Sequence, residues 1–393
     1  MHLLYTLTAY PPSTGGAQLL QHQLAQQLQQ RHQIQVISHW DKNRTDWLLG
    51  TTLRTPFALN YTIDDIAVHR LGLSPKEKIR LAPYVPIYYP FMNVALPQIA
   101  NCLEQHLYPY AKNVDLIHNV RVGREGLSYA SYQAARSRDI PFVLTPLHHP
   151  RWVGWRYRAY IKLYTLADSV IALTKTEKQI LINLGVQEER ITVTGMGPIL
   201  ANYANPDTFI QKYHIDGPIV LFLGQHYPYK GYRHLLRAAT LVWQKIPEAH
   251  FVFIGPAIAQ SEQDFKSLVD KRIHRLGNVD LQQKTDALAA CTLLCVPSSQ
   301  ESFGGVYTEA WSFGKPVIGC NIPAVAEVVT DEIDGYLVVQ ESAEIAERIC
   351  HLLLNRTLAQ AIGTAGRQKV QSQYTWQRIA ESTEQAYQKV FKR

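Results

Sequence analysis

Between Pro297 and Lys315 the chain reads PSSQESFGGVYTEAWSFGK, and no other stretch constrains the fold as strongly. The apolar run Leu293-Leu294-Cys295-Val296 leads into it, and a second, Pro316-Val317-Ile318-Gly319, follows it. Between them lie Phe303-Gly304-Gly305 and a helix-like segment. This is the layout of a strand, a glycine loop and a helix N-terminus at the edge of a parallel sheet. Backbone N–H groups at such a helix start attract phosphate. Glu301 and Glu309, eight positions apart, flank the glycines and can accept hydrogen bonds from hydroxyls on either side of that phosphate. A sugar, a diphosphate and a ribose in series have this arrangement.

The rest of the chain repeats the strand–loop–helix pattern. An apolar strand from about Leu3 to Ala9 is broken by Pro11-Pro12-Ser13-Thr14-Gly15-Gly16. Ala17 then begins a helix with Leu20, Leu24 and Leu28 at helical spacing, and a strand Ile34–Ser38 follows. Glycines at the first strand-to-helix turn mark a doubly wound fold. From Asp41 to Tyr110 the chain is rich in Pro and Tyr. Prolines at that density exclude one long helix, so loops and short elements are expected. Strands are expected at Val114–His118, Pro141–Thr145, Ser169–Leu173 and Ile191–Thr194. A second alternation begins with strand Ile219–Leu223, the glycine-bounded turn Gly224–Gly231, a helix from Tyr232 to about Lys245 and strand His250–Ile254.

A length of 393 residues is too great for one ordinary domain and comfortable for two. The expected fold class is α/β, with two Rossmann-like domains over 1–197 and 218–375. Residues 198–217 would form the linker, and an amphipathic helix over 376–393 would pack back on the first domain.

The net charge of +7 and pI near 9.0 favour anionic partners, although a merely basic protein explains the charge equally well. No Lys/Arg-dense block or nucleic-acid motif is present, so no nucleic-acid partner is expected. The five cysteines lie in or beside apolar runs, as reduced buried thiols do. Cys291 and Cys295 are spaced for one helix face, but no His or Cys set completes a metal site, and neither metal nor cofactor is expected. The N-terminus lacks the charged start and apolar core of a signal peptide. No apolar stretch approaches the roughly 20 residues that span a bilayer. A cytoplasmic location is expected, with any membrane contact peripheral. No Gly-x-Gly-x-x-Gly opens either half, which argues against a nicotinamide dehydrogenase.

Taken together, the motifs resemble the family 4 glycosyltransferases, retaining enzymes of the GT-B architecture with two Rossmann-like domains facing across a cleft. The core of the likeness is Glu-x7-Glu in the frame Pro-Ser-x-x-Glu-Ser-Phe-Gly, followed by Glu309-Ala310 and Gly314-Lys315-Pro316-Val317-Ile318. Four further stretches match in order: Gly15-Gly16, Ala167 to Thr174, Gly224 through Lys230-Gly231, and Asp334 to Val338. The resemblance covers almost the whole chain.

The resemblance implies that Glu301 contacts the hydroxyls of the donor sugar and Glu309 the ribose. Backbone amides around Phe303, Gly304 and Gly305 would hold the diphosphate, because glycine permits an approach that a Cβ blocks. Lys230 would neutralise the departing diphosphate where charge grows in the transition state. Gly15 and Gly16 would bring amides to the donor phosphate or the acceptor; a plain tight turn is the simpler reading. The family usually has Arg after the glycine at Gly224, whereas this chain has Gln225 followed by His226, so the diphosphate clamp is less basic. His226 and Arg233 are the candidates to compensate. Ile322 to Glu327 replaces the usual Gly-Gly-x-Pro-Glu, retaining only the glutamate, Glu327, beside the nucleobase or ribose.

For the reacting carbon, many relatives carry two His residues two positions apart. Here His118 fills the first position and Val120 the second. Either His118 serves, or Arg121, Arg124 or Glu125 does; a structural His at a strand end is an equally good reading. His148 and His149 follow another expected strand end and, with Arg121 and Arg124, are candidates for the acceptor. The acceptor itself, a glycan, lipid-linked or small-molecule hydroxyl, is open. From Arg151 to Leu166 a helix is expected with Trp152 and Trp155 on its apolar face beside a basic stripe. That helix suits either an anionic membrane surface or a core-facing position. The expected activity is hexose transfer from a nucleotide-diphosphate sugar. The alternatives are a degenerate GT-B protein that binds nucleotide sugar or a partner without transfer, and a GT-B sugar-nucleotide epimerase.

Overall fold

The computed structural model describes residues 1–13, 15–42, 47–121 and 126–392. It divides into two compact units, Met1–Gly195 with Trp376–Arg393, and Met196–Thr375.

The first unit holds strands β1 (His2–Thr6), β2 (Gln33–Ser38), β3 (Leu59–Ile63), β4 (Ile66–Arg70), β5 (Leu116–Val120), β6 (Phe142–Thr145), β7 (Ser169–Ala172) and β8 (Ile191–Val193). They form one sheet in the order β3-β4-β2-β1-β5-β6-β7-β8, parallel except for the β3–β4 pair. Alternate residues of the central strands go to opposite faces. Leu4, Ile117 and Leu144 join one apolar core, while Leu3, Tyr5, Val36, Leu116 and Val143 join the other. The second core is closed by Ile379, Ala380 and Tyr387 of the helix Trp376–Phe391, so the C-terminal helix is part of the first unit.

The segment from 41 to 110 is more regular than its prolines suggest. β3 and β4 form a hairpin whose turn residues, Asp64 and Asp65, both take positive φ, as the tightest hairpin turns demand. The helix Met92–Leu107 runs through Pro97. Ala95, Leu96, Ile99, Ala100 and Leu103 are buried along it, and it packs on the helix Leu127–Ser137. That burial outweighs the roughly 3 kcal/mol that a proline costs inside a helix. The stretch from Arg151 also differs. The helix there is only Arg158–Leu166, preceded by a single turn at Trp155–Tyr157. Trp152 packs against the core ahead of it, while Trp155 is exposed between Arg156 and Arg158. The two tryptophans therefore do not share a helix face. No helix among the described residues is long and apolar enough to cross a membrane.

The second unit holds β9 (Ile219–Leu223), β10 (His250–Ile254), β11 (Ile273–Gly277), β12 (Leu293–Val296), β13 (Val317–Cys320) and β14 (Gly335–Val338). All pairings are parallel, in the order β11-β10-β9-β12-β13-β14. Counted from β9 this is 3-2-1-4-5-6, the Rossmann order, and the direction of winding reverses between β9 and β12. Residues 198–217 contain a helix, Pro206–Lys212, that packs on the helix Leu281–Ala290 within this unit. Cys291 caps the latter helix and Cys295 lies in β12, so they share no helix face.

Candidate functional site

In open parallel sheets, ligands bind beyond the carboxyl ends of the strands where the winding reverses. In the second unit that point is bounded by the segments after β9 and after β12, which are Gly224–Gly231 and Pro297–Gly305. The two are tied together. Ser299 N donates to Tyr229 O at 2.8 Å. The Gln340 amide donates to Tyr229 O at 3.0 Å and to Pro297 O at 2.6 Å. Gly231 takes φ +82°, and a Cβ there would lie 2.3 Å from Pro297 O. Only glycine allows this approach.

Its consequence is an ion pair across the reversal point. Lys230 Nζ lies 2.5 Å from Glu301 Oε1. Both side chains are partly exposed, at 20% and 12%. Gly304 follows at φ +86°, the left-handed conformation that starts the helix Gly305–Ser312. Tyr307, fully buried, ties that helix to the end of β12 by donating to Val296 O at 2.8 Å. The first amides of the helix lack intrahelical partners and carry its positive dipole end, so the loop can hold an anion. The Phe303 side chain is buried against Tyr374, ring centroids 5.3 Å apart, leaving its backbone for ligand contact. Glu327 is half-buried on the helix Pro323–Val328. Burial first, and then the Glu327 charge, push the Tyr374 hydroxyl up to about 12.

Glu309 sits one turn inside the helix and is 4% exposed. Its Oε1 is 2.8 Å from Lys284 Nζ, while its buried Oε2 has no hydrogen-bond partner among the described residues. Burial raises its pKa, and the Lys284 cation acts against that rise. Sequence reasoning missed Lys284 and Gln340. Neither belongs to a motif, and both reach the site from elements distant in sequence.

The two candidates for a compensating cation are otherwise engaged. His226 is fully buried, stacked on Tyr232 at 5.5 Å and close to Phe222 and Phe265. Burial pushes its pKa down to about 4, so it is neutral at pH 7. Arg233 Nε is 2.5 Å from Asp264 Oδ2. Gln225 is exposed at the turn.

In the first unit the winding reverses between β1 and β5. Gly15 caps the helix Gly16–Leu28 in an extended conformation, and Gly16 is exposed, with no atom of the described residues within 4 Å of a would-be Cβ. His118 is a residue of β5. It is fully buried, with Nδ1 2.7 Å from the Tyr387 hydroxyl and Nε2 2.8 Å from Thr145 Oγ1. Burial pushes its pKa down to about 3. The geometry gives His118 a structural role in place of the expected catalytic one: Nδ1 anchors the C-terminal helix through Tyr387, and Nε2 ties β5 to β6 through Thr145. His118→Ala should lower stability by about 2–4 kcal/mol through unpaired buried groups and a cavity. Its kcat, measured where it is folded, should stay within about threefold of wild type; a loss of kcat without a loss of stability would restore the catalytic role.

Arg121, at φ +59°, follows β5 and donates its amide to Thr145 O at 2.8 Å. Arg124 lies outside the described residues. His148 follows β6, buried, with its amide 2.6 Å from Glu177 Oε1. Glu177 Oε2 accepts from Leu173 N at 2.8 Å, so one buried carboxylate bridges the ends of β6 and β7. Burial raises Glu177 to about 7 against those two amides. His149 is half-buried beside the Trp152 ring. Arg121 and His148 thus lie on the same carboxyl edge of the sheet.

Comparison with known proteins fits this division. Residues 217–355 match the model for Glycosyl transferases group 1, and residues 15–197 match the Glycosyl transferase 4-like domain. Phosphatidyl-myo-inositol mannosyltransferase of Mycobacterium leprae is 30% identical over 177 residues, 44% of this chain and 47% of that protein. The match thus spans about half the length of such curated relatives. HepE of Anabaena, solved in complex with UDP and glucose, has the same fold, with a TM-score of 0.75 at 19% identity over 99% of this chain and 100% of that one. Sucrose-phosphate synthase of Thermosynechococcus elongatus gives 0.74 at 18% identity over 100% and 99%.

Proposed function

We propose, from the two glycosyl transferase models that its units match, that the chain is a glycosyltransferase of the GT-B fold and moves a hexose from a nucleotide-diphosphate sugar to an acceptor hydroxyl, with retention at the anomeric carbon. The observation that carries the reading is the Lys230–Glu301 pair beside the Gly304-Gly305 helix start at the winding reversal of the second unit. A diphosphate there would receive the helix amides and draw Lys230 away from Glu301. That exchange frees Glu301 to accept hydrogen bonds from sugar hydroxyls, while the unused oxygen of Glu309 takes the ribose.

Lys230 is then the cation that stabilises charge on the departing diphosphate, since His226 is neutral and Arg233 is paired. The sugar passes through an oxocarbenium-like state. A diphosphate oxygen takes the acceptor's proton on the face that the leaving group vacates. Orientation and electrostatics supply the rate. Arg121, His148 and His149, on the carboxyl edge of the first unit, are assigned to a glycan, lipid-linked or small-molecule acceptor.

A thermal-shift screen of nucleotide sugars, followed by proton NMR of the donor and its products, tests the reading. Consumption of one donor with an anomeric configuration kept in the product is expected. Inversion, interconversion of the donor with its epimer, or binding without turnover would each contradict it.

A further inference from the structure

The ion pair inside the second unit carries an inference about nucleotide selection, which rests on the donor-site reading above. Lys284 lies on the helix Leu281–Ala290, whose N-terminus is fixed by Asp280 accepting from Gln283 N at 2.7 Å. The Lys284 ammonium donates to Ile199 O at 2.8 Å and to Glu309 Oε1 at 2.8 Å. The next residue on the helix, Thr285, accepts from Ala201 N at 2.9 Å, so the helix and the 199–201 segment hold each other in place. Lys284 is thereby fixed from a second side, and its contact with Glu309 is not that of a mobile surface lysine. The Lys284 side chain is 19% exposed and that of Glu309 only 6%.

This geometry treats the two carboxylate oxygens of Glu309 differently. Oε1 is committed to the cation. Oε2 is buried with no hydrogen-bond partner among the described residues, a costly state for a carboxylate oxygen in a free protein. A group that is both buried and unpaired is preorganised for a ligand donor. The donor must be small and neutral, because a second cation would compete with Lys284. A hydroxyl fits, and a ribose offers two adjacent ones. Were Lys284 absent, burial would drive Glu309 toward its neutral form. The carboxyl would then lose acceptor strength and its fixed orientation together.

We infer that Lys284 is the positioning residue of the nucleotide subsite. It holds Glu309 ionised and oriented through Oε1, so that Oε2 selects ribonucleoside over deoxyribonucleoside diphosphates. The discrimination follows from the asymmetry of unmade hydrogen bonds: a deoxyribose would leave the buried oxygen unpaired, as it is in the free protein.

Calorimetric titration of the full chain with UDP, GDP, ADP and their 2′-deoxy and 3′-deoxy forms tests this. Inorganic pyrophosphate serves as a probe of the Lys230 end alone. Wild type should prefer the best-bound ribonucleotide over one of its deoxy forms by about 10- to 100-fold in Kd. Lys284→Met should reduce that preference to less than about threefold, with pyrophosphate affinity unchanged within about twofold. A collapsed site would lose pyrophosphate as well, which separates positioning from unfolding. If the methionine variant does not fold, Lys284→Gln, which keeps a donor but no charge, should show the same loss of preference. Preference that survives either folded variant, or its absence in wild type, overturns the inference and leaves the donor-site reading intact. Failure of wild type to bind any of the nucleoside diphosphates overturns that reading, and this inference with it.

Discussion

Lys230→Ala should lower kcat by about 10²- to 10³-fold, with a smaller change in the affinity for donor. The reason is the scarcity of other charge at that point. The position after Gly224 holds Gln225, His226 is buried and neutral, and Arg233 is held by Asp264. Negative charge developing on the leaving diphosphate therefore meets the helix amides and the Lys230 cation. In the free protein that cation rests on Glu301 at 2.5 Å, so the exchange from carboxylate to diphosphate involves charges already desolvated to a similar degree. Part of the ground-state binding of the diphosphate is offset by breaking this pair. The benefit should appear more in kcat than in KM. Single-turnover measurement of donor consumption reads the effect directly. A kcat within about threefold of wild type would remove Lys230 from the chemistry.

Acid should destabilise the first unit well before ordinary carboxylate titration does. Burial pushes His39 and His118 down to about 3, whereas an unfolded chain titrates them near 6.5. A depressed histidine is neutral in the fold, so its contribution is fully present above pH 6.5. As pH falls from 6.5 toward 3 the unfolded chain takes the protons first, and stability is lost. Each such group costs about 1.4 kcal/mol per pH unit inside that window, and the two together about 2.7. Glu177 acts with the opposite sign. Raised to about 7, it takes its proton in the folded chain first, and returns about 1.4 kcal/mol per unit between pH 7 and 4.5. His39, His118 and Glu177 together lose about 4 kcal/mol from pH 6.5 to 4. His148, lowered to about 4 by burial, adds to it. Against a total of about 5–15 kcal/mol this is a large change. Hydrogen exchange at the β5 and β6 amides, corrected for its intrinsic pH dependence, should show it. Protection that stays constant down to pH 4 would mean that the buried histidines are already charged in the fold.

The parts of the molecule that could be read in advance are those where local pattern and tertiary position agree. Ile219–Leu223, His250–Ile254 and Leu293–Val296 are short, largely apolar runs that stop at Gly224, Gly255 and Pro297, and each is a strand with those bounds. Glu301, Gly304 and Glu309 fall on the loop and helix that their spacing implies. The region from 41 to 110 was harder because its order is tertiary. Pro97 argues locally against a helix, and tertiary packing, chiefly on the helix Leu127–Ser137, makes the helix worth forming. The Asp64-Asp65 hairpin turn lacks the glycine that usually betrays one. His118 shows the converse failure. Its place in a motif pointed to chemistry, while its real partner, Tyr387, lies 269 positions away on the last helix. Lys284 was invisible for the same reason: nothing in its own helix marks it, and its meaning comes from Glu309 twenty-five positions on.

The central claim is that the reversal point of the second unit is the seat of a nucleotide diphosphate. A crystal structure of the full chain soaked with UDP, GDP or ADP, whichever binds best, tests it most directly. The account predicts diphosphate oxygens against the Gly304 and Gly305 amides, Lys230 turned from Glu301 onto the diphosphate, and a ribose hydroxyl on Glu309 Oε2. A nucleotide bound elsewhere, with the Lys230–Glu301 and Lys284–Glu309 pairs undisturbed, would contradict it.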